Sequence, residues 1–132
     1  MTAHPPARVL LVEEDDAWQW VVRAALEHAG YLVSAAPDGA SVLEQVRASQ
    51  HALVIVLDLL RPDRDGLPLL QRIADEASTA RRHAYLLLTA RRQTFPLPVV
   101  RLFQQLGVRV LQKPVDLDTL VAVVEQAAIR LA

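Results

Sequence analysis

Arg8-Val9-Leu10-Leu11-Val12-Glu13-Glu14-Asp15-Asp16 decides the fold. An unbroken apolar run rich in β-branched residues reads as a strand buried on both faces. It stops abruptly on four acids. Beyond them, Trp18, Val21, Val22, Ala25, Leu26 and Ala29 share one helical face that ends at Gly30, a natural C-cap. The same alternation continues along the chain. Strands are expected at 31–35, 53–57, 84–88 and 108–112. A turn at Pro37-Asp38-Gly39 leads to a helix marked by Val42, Leu43 and Val46, and further helices are expected at 67–77, 99–106 and 116–131. Pro68 is tolerated in a first helical turn, and Asp116 or Asp118 can cap the last helix. Strict βαβα order with apolar strands implies an α/β fold, a doubly wound parallel sheet with helices on both faces. Residues 1–7 are expected to form an N-terminal tail and 8–132 one domain, without linker or repeat and with no output domain expected.

Composition narrows the function. The 132 residues carry 14 basic and 15 acidic side chains and no cysteine. Disulfide scaffolds, thiol nucleophiles and thiolate metal sites are excluded. A net charge of −1 with scattered arginines argues against direct nucleic-acid binding. No apolar stretch approaches ~18 residues and no signal peptide opens the chain, so a cytoplasmic protein is expected. Thirteen of the basic residues are arginine and Lys113 is the only lysine, which makes its position informative.

In open parallel sheets, ligands bind outside the carboxyl ends of the strands. The residues just past strands one, three, four and five are Glu13-Glu14, Asp58, Thr89 and Lys113. Three acids, one hydroxyl and one amine therefore converge on one rim. Carboxylates packed together need a cation or a basic side chain to stay ionised. Histidine-free oxygen ligation suits Mg²⁺. A carboxylate can attack phosphorus to form an acyl phosphate, a lysine supplies a point charge for the phosphoryl group, and a threonine hydroxyl with the following N–H can bind its oxygens. No Gly-rich Walker or dinucleotide pattern competes with this reading.

The ordered motifs resemble those of a response-regulator receiver domain, in its single-domain form. They are Val9 to Ala17, Leu26 to Tyr31, Ala36 to Gly39, Leu88-Thr89-Ala90, Gln112-Lys113-Pro114 and the phosphoacceptor-like loop Val56 to Gly66, which spaces Asp58, Pro62, Asp65 and Gly66 as that family does. The resemblance implies a flavodoxin-like five-stranded sheet of order 2-1-3-4-5. It implies that Asp58 takes a phosphoryl group from a histidine kinase or histidine phosphotransfer protein in a two-component phosphorelay. Mg²⁺ would be held by Glu14 directly, Glu13 through water, Asp58 and the Leu60 carbonyl. Thr89 and the Ala90 N–H would contact the phosphoryl group, Lys113 would pair with it, and Pro114 would follow in the cis form. The signal would pass to an undetermined downstream protein through the surface of the fourth helix, fifth strand and last helix. Such a chain is no turnover enzyme: it catalyses its own phosphorylation and slow dephosphorylation only. A monomer or weak dimer with no membrane contact is expected.

Three positions depart from the family pattern. Glu14 stands where aspartate is usual, and its extra methylene displaces the carboxylate by ~1.5 Å, a large error for a small octahedral ion. Val110 replaces a frequent aromatic switch. The segment 89–113 is long and holds Pro96 and Pro98, which predicts a shortened or displaced fourth helix. These departures motivate an alternative: a degenerate receiver acting as a phosphorylation-independent interaction module. A phosphatase on a similar sheet is disfavoured, since its Asp-x-Asp motif is missing. Among the remaining residues, Asp15 and Asp16 read as helix caps, Asp63 and Asp65 as turn formers, and His4, His28, His51 and His83 as surface residues. By the same resemblance, Leu60 and Arg91, beside Asp58 and Thr89, would occupy positions that tune the phosphoryl lifetime. Trp18 falls on the core face of the first helix and Trp20 on the opposite face. Trp18, Trp20, Val110 and Pro114 are the candidate partner surface.

Overall fold

A computed structural model describes residues 8–36, 39–58, 66–90 and 94–131. The described elements run β1 (Arg8–Glu13), α1 (Asp16–His28), β2 (Leu32–Ala36), α2 (Gly39–Ala48), β3 (Leu53–Asp58), α3 (Leu67–Ala74), α4 (Ala77–Ala80), β4 (Ala84–Thr89), α5 (Leu97–Leu106), β5 (Arg109–Gln112) and α6 (Leu117–Leu131). All strand pairings are parallel and the order is β2-β1-β3-β4-β5. This is the expected doubly wound sheet. The tail 1–7, the Pro37-Asp38 turn, most of the loop after β3 (including Leu60, Pro62, Asp63 and Asp65) and Arg91 lie outside the described residues.

Strand alternation divides the core in two. Leu10, Val12, Ile55, Leu57, Tyr85 and Leu87 face α2, α3 and α5, whereas Val9, Leu11, Val54, Val56, Leu86 and Leu88 face α1 and α6. β3 is buried along its whole length, as a central strand covered on both faces must be. Carrying the alternation one step further puts Glu13 and Asp58 on the α1/α6 face, and the register pairs them directly across β1 and β3.

The helix ends follow their caps. Asp15 caps α1, accepting from the Ala17 and Trp18 N–H groups, and Asp116 accepts from the Thr119 N–H at the start of α6. Gly107 ends α5 with φ 68°, the left-handed conformation that glycine adopts without strain. α5 begins immediately after Pro96 and holds Pro98 within its first turn, where the missing N–H costs no helical hydrogen bond. The expected helix over 67–77 is instead split: α3 stops at Ala74 and a separate turn, α4, follows. The Asp75 N–H closes back on Gln71 and that of Glu76 on Ile73, which ends the first segment.

His83 is not a surface residue. It is buried just before β4, where Nδ1 accepts the Leu53 N–H at 3.1 Å and Nε2 lies 3.2 Å from the Val46 carbonyl. The first contact requires a bare Nδ1, so the ring proton sits on Nε2 and donates to Val46. The neutral ring thus serves one backbone donor and one acceptor between β3, β4 and α2. Burial lowers its pKa below the usual 6.5. The folded chain then resists protonation that the unfolded chain accepts, so the stability this residue contributes is present above pH 6.5 and is lost as pH falls below it. His83→Ala, which orphans both backbone groups, lowers stability by about 2–4 kcal/mol at pH 7.5. In urea denaturation that difference narrows at pH 5.5.

Candidate functional site

The carboxyl ends of β1, β3, β4 and β5 surround a cleft of about 610 Å³ lined by Glu13, Asp15, Trp18, Asp58, Ala90 and Lys113, with Leu88, Pro114, Val115 and Leu120 as its apolar wall. Asp58 ends β3 and is 1% exposed. Lys113 follows β5, lines the cleft and places Nζ against Asp58 Oδ1 in an ion pair. Its backbone N–H donates to the Thr89 carbonyl at 2.8 Å, which fixes the end of β5 against β4, and the Lys113-Pro114 peptide is cis as expected. Thr89 is buried at the end of β4, and Ala90 is exposed on the cleft wall.

Glu13 sits across from Asp58. Its Oε1 accepts the Asp15 N–H at 2.9 Å, whereas Oε2 is buried without any hydrogen-bond donor. Burial raises the Glu13 pKa to about 8, and the neighbouring Asp58 carboxyl adds to the effect. Two facing acids with one orphaned oxygen form a set of hard oxygen donors turned toward each other. That set fits a divalent cation such as Mg²⁺, which takes one or two protein carboxylates and keeps several waters.

The structure differs from the sequence expectation at two of the site residues. Glu14 is exposed and does not line the cleft, and among the described residues no three acidic or histidine side chains gather at metal-ligating distance. The gathered acids are a pair, Glu13 and Asp58, because residue 14 lies one step past the strand and turns outward. Trp18 also departs from its assignment to a partner surface. Its indole Nε1 donates to Asp58 Oδ2 at 2.7 Å, inside the site. The sequence held a signal for this contact: Trp18 is the third residue past the Asp15 cap, so it stands in the first turn of α1, directly over the rim. Trp20, in contrast, is 72% exposed, as its position on the opposite face predicts. Val110 is exposed on the edge strand β5, and Pro114 is exposed beside the cleft.

The sequence profile of the response regulator receiver domain matches residues 9–125. The chain belongs to the response-regulator receiver family. It is 35% identical over 122 residues to the DNA-binding transcriptional regulator NtrC of Escherichia coli, covering 90% of this chain and 24% of NtrC. It is 43% identical over 70 residues to the transcriptional regulatory protein CseB of Streptomyces coelicolor, covering 53% of this chain and 30% of CseB. The chain therefore spans about a quarter to a third of the length of these relatives. Among solved structures it is similar to a CheY-like receiver domain protein from Methanospirillum hungatei, with TM-score 0.73, 22% identity and coverage of 95% of this chain and 94% of that one. The chemotaxis protein CheY4 of Vibrio cholerae superposes with TM-score 0.73 at 24% identity, over 93% of this chain and 99% of that one. These likenesses carry the fold, and the profile match carries membership of a family of two-component signalling domains.

The receiver's paired acids have a measurable cost without metal. A carboxyl whose folded pKa is raised binds an extra proton between pH 4.5 and about 8, so its contribution to stability declines as pH rises through that window. In EDTA, Glu13→Gln raises the melting temperature at pH 8.5, and the gain shrinks toward zero near pH 4.5. A thermal melt series across that range measures it.

Proposed function

We propose that Asp58 is the phosphoacceptor of this receiver, taking a phosphoryl group from a histidine kinase or histidine phosphotransfer protein. The observation that carries the reading is a buried carboxylate held by the chain's only lysine, opposite a second acid with an unpartnered oxygen. An Asp58 oxygen attacks phosphorus, the phosphorus–nitrogen bond to the donor imidazole breaks, and its electron pair leaves on the ring nitrogen. The product is an acyl phosphate on Asp58.

The surrounding residues have separate tasks. Lys113 pairs with Asp58 before transfer, and its flexible ammonium can follow the charge onto the phosphoryl group afterward. The Thr89 hydroxyl and the Ala90 N–H, at the end of β4, are the donors for phosphoryl oxygens. Glu13 and Asp58 would hold Mg²⁺, with the Leu60 carbonyl as a further ligand. Bound there, the ion supplies positive charge that offsets the two acids and the incoming phosphoryl oxygens. Glu14, at the exposed rim, would reach such an ion only by reorienting inward. Water later hydrolyses the acyl phosphate, so the chain catalyses its own phosphorylation and dephosphorylation and no turnover of a free substrate. The change at Thr89 and Lys113 would reach a downstream protein through α5, β5 and α6, where Val110 is exposed, in a cytoplasmic setting.

Incubation with acetyl phosphate and millimolar Mg²⁺, followed by intact-mass measurement, tests the proposal. The wild type gains one phosphoryl group and Asp58→Asn gains none. Lys113→Arg keeps the net charge but lowers the extent of labelling at least several-fold, because a planar guanidinium cannot replace a point charge in this position. A wild type that stays unlabelled supports instead the degenerate receiver that binds partners without phosphorylation.

A further inference from the structure

Both oxygens of the Asp58 carboxylate are already engaged, Oδ1 in an ion pair and Oδ2 in a hydrogen bond. Lys113 holds Oδ1, and the Trp18 indole N–H holds Oδ2 at 2.7 Å. The indole is locked in this position by the acids themselves. Glu13 Oε1 accepts the Asp15 N–H, Asp15 Oδ1 accepts the Trp18 backbone N–H at 3.1 Å, and the Trp18 side chain returns to Asp58, which faces Glu13. The ring body is partly buried against the apolar core of the α1/α6 face, which anchors the ring.

Indole is a donor only and cannot ligate a cation. An Mg²⁺ ion sits about 2.0–2.1 Å from each oxygen ligand and carries a shell of waters around it. The ring nitrogen stands 2.7 Å from Oδ2, as close to that oxygen as a water of an ion bound there would come. We propose that Trp18 is a positioning residue that latches the unphosphorylated Asp58 carboxylate. Mg²⁺ entry at the Glu13–Asp58 pair breaks the indole hydrogen bond and turns the ring outward. This inference rests on the proposed metal site at Asp58, but it concerns the state that precedes phosphorylation. Its consequence is that Mg²⁺ affinity is set low by a side chain that is not itself a ligand.

Two measurements on the full chain test the latch. In a Trp20→Phe background, Trp18 gives the only indole N–H signal in a ¹H–¹⁵N spectrum, and that signal shifts as Mg²⁺ is added. In calorimetric titration, Trp18→Phe binds Mg²⁺ about tenfold more tightly than wild type, the factor expected when one hydrogen bond to a charged group no longer has to be broken. An indole signal unmoved at saturating Mg²⁺, an affinity for Trp18→Phe within twofold of wild type, or no Mg²⁺ binding by either protein overturns the latch. If Trp18→Phe fails to fold, the indole signal decides alone. Acetyl phosphate labelling separates the two readings. Mg²⁺-dependent movement of the Trp18 signal without any label sustains the latch and removes the phosphoacceptor, whereas label without that movement does the reverse.

Discussion

Two acids fixed side by side at the ends of adjacent central strands are the constraint on which the rest of this receiver depends. The β1–β3 register leaves Glu13 and Asp58 no freedom to separate, since they are cross-strand partners on the same face. Like charges opposite one another in a sheet are destabilising. Burial makes the repulsion worse by weakening solvent screening. The fold answers with one ammonium, Lys113, delivered by a distant strand whose position is fixed by the hydrogen bond from its own N–H to Thr89. One cation against two carboxylates leaves a second charge to be neutralised, which a proton on Glu13 does below about pH 8, and an oxygen of Glu13 stays without a partner. That residual imbalance makes the cleft receptive to a further cation.

Much of this was legible in the sequence because period and position are local properties. The strand after Arg8 and the acid ending β3 could be read from runs of apolar residues and where they stop, and the sheet order followed from the resemblance. Asp15 and Asp116 could be read as caps from their place before helical patterns. The lysine stood out because arginine fills every other basic position. Glu14, His83 and Trp18 were not legible in the same way. Whether Glu14 turns inward depends on where the strand ends, and a one-residue shift moves a side chain to the other face. His83 looks like a polar residue between two arginines and a strand. Only tertiary packing shows that it serves backbone groups of Leu53 and Val46. Trp18 was assigned to the apolar face correctly, but amphipathic patterning is silent on where an indole N–H goes.

Trp18 also changes how the departures from the family pattern are read. Glu14 in place of aspartate suggested a displaced metal ligand. In the structure Glu14 does not line the cleft at all, and the Trp18 indole is hydrogen-bonded to Asp58. In the proposed site, metal binding would be coupled to the position of α1's first turn. That turn is itself tied to Glu13 through Asp15. The first turn of α1 thus contacts the Asp58 carboxylate, and the exposed Trp20 lies two residues along the same helix.

The central claim is that chemistry occurs on the Asp58 carboxylate and nowhere else in the chain. Reduction of the phosphorylated protein with borohydride converts an acyl phosphate of aspartate into homoserine, and peptide mapping by mass spectrometry then locates it. The account predicts a single homoserine at position 58. Homoserine at another acid, or a phosphoryl group that survives on a hydroxyl or histidine side chain while Asp58 is unmodified, would contradict it.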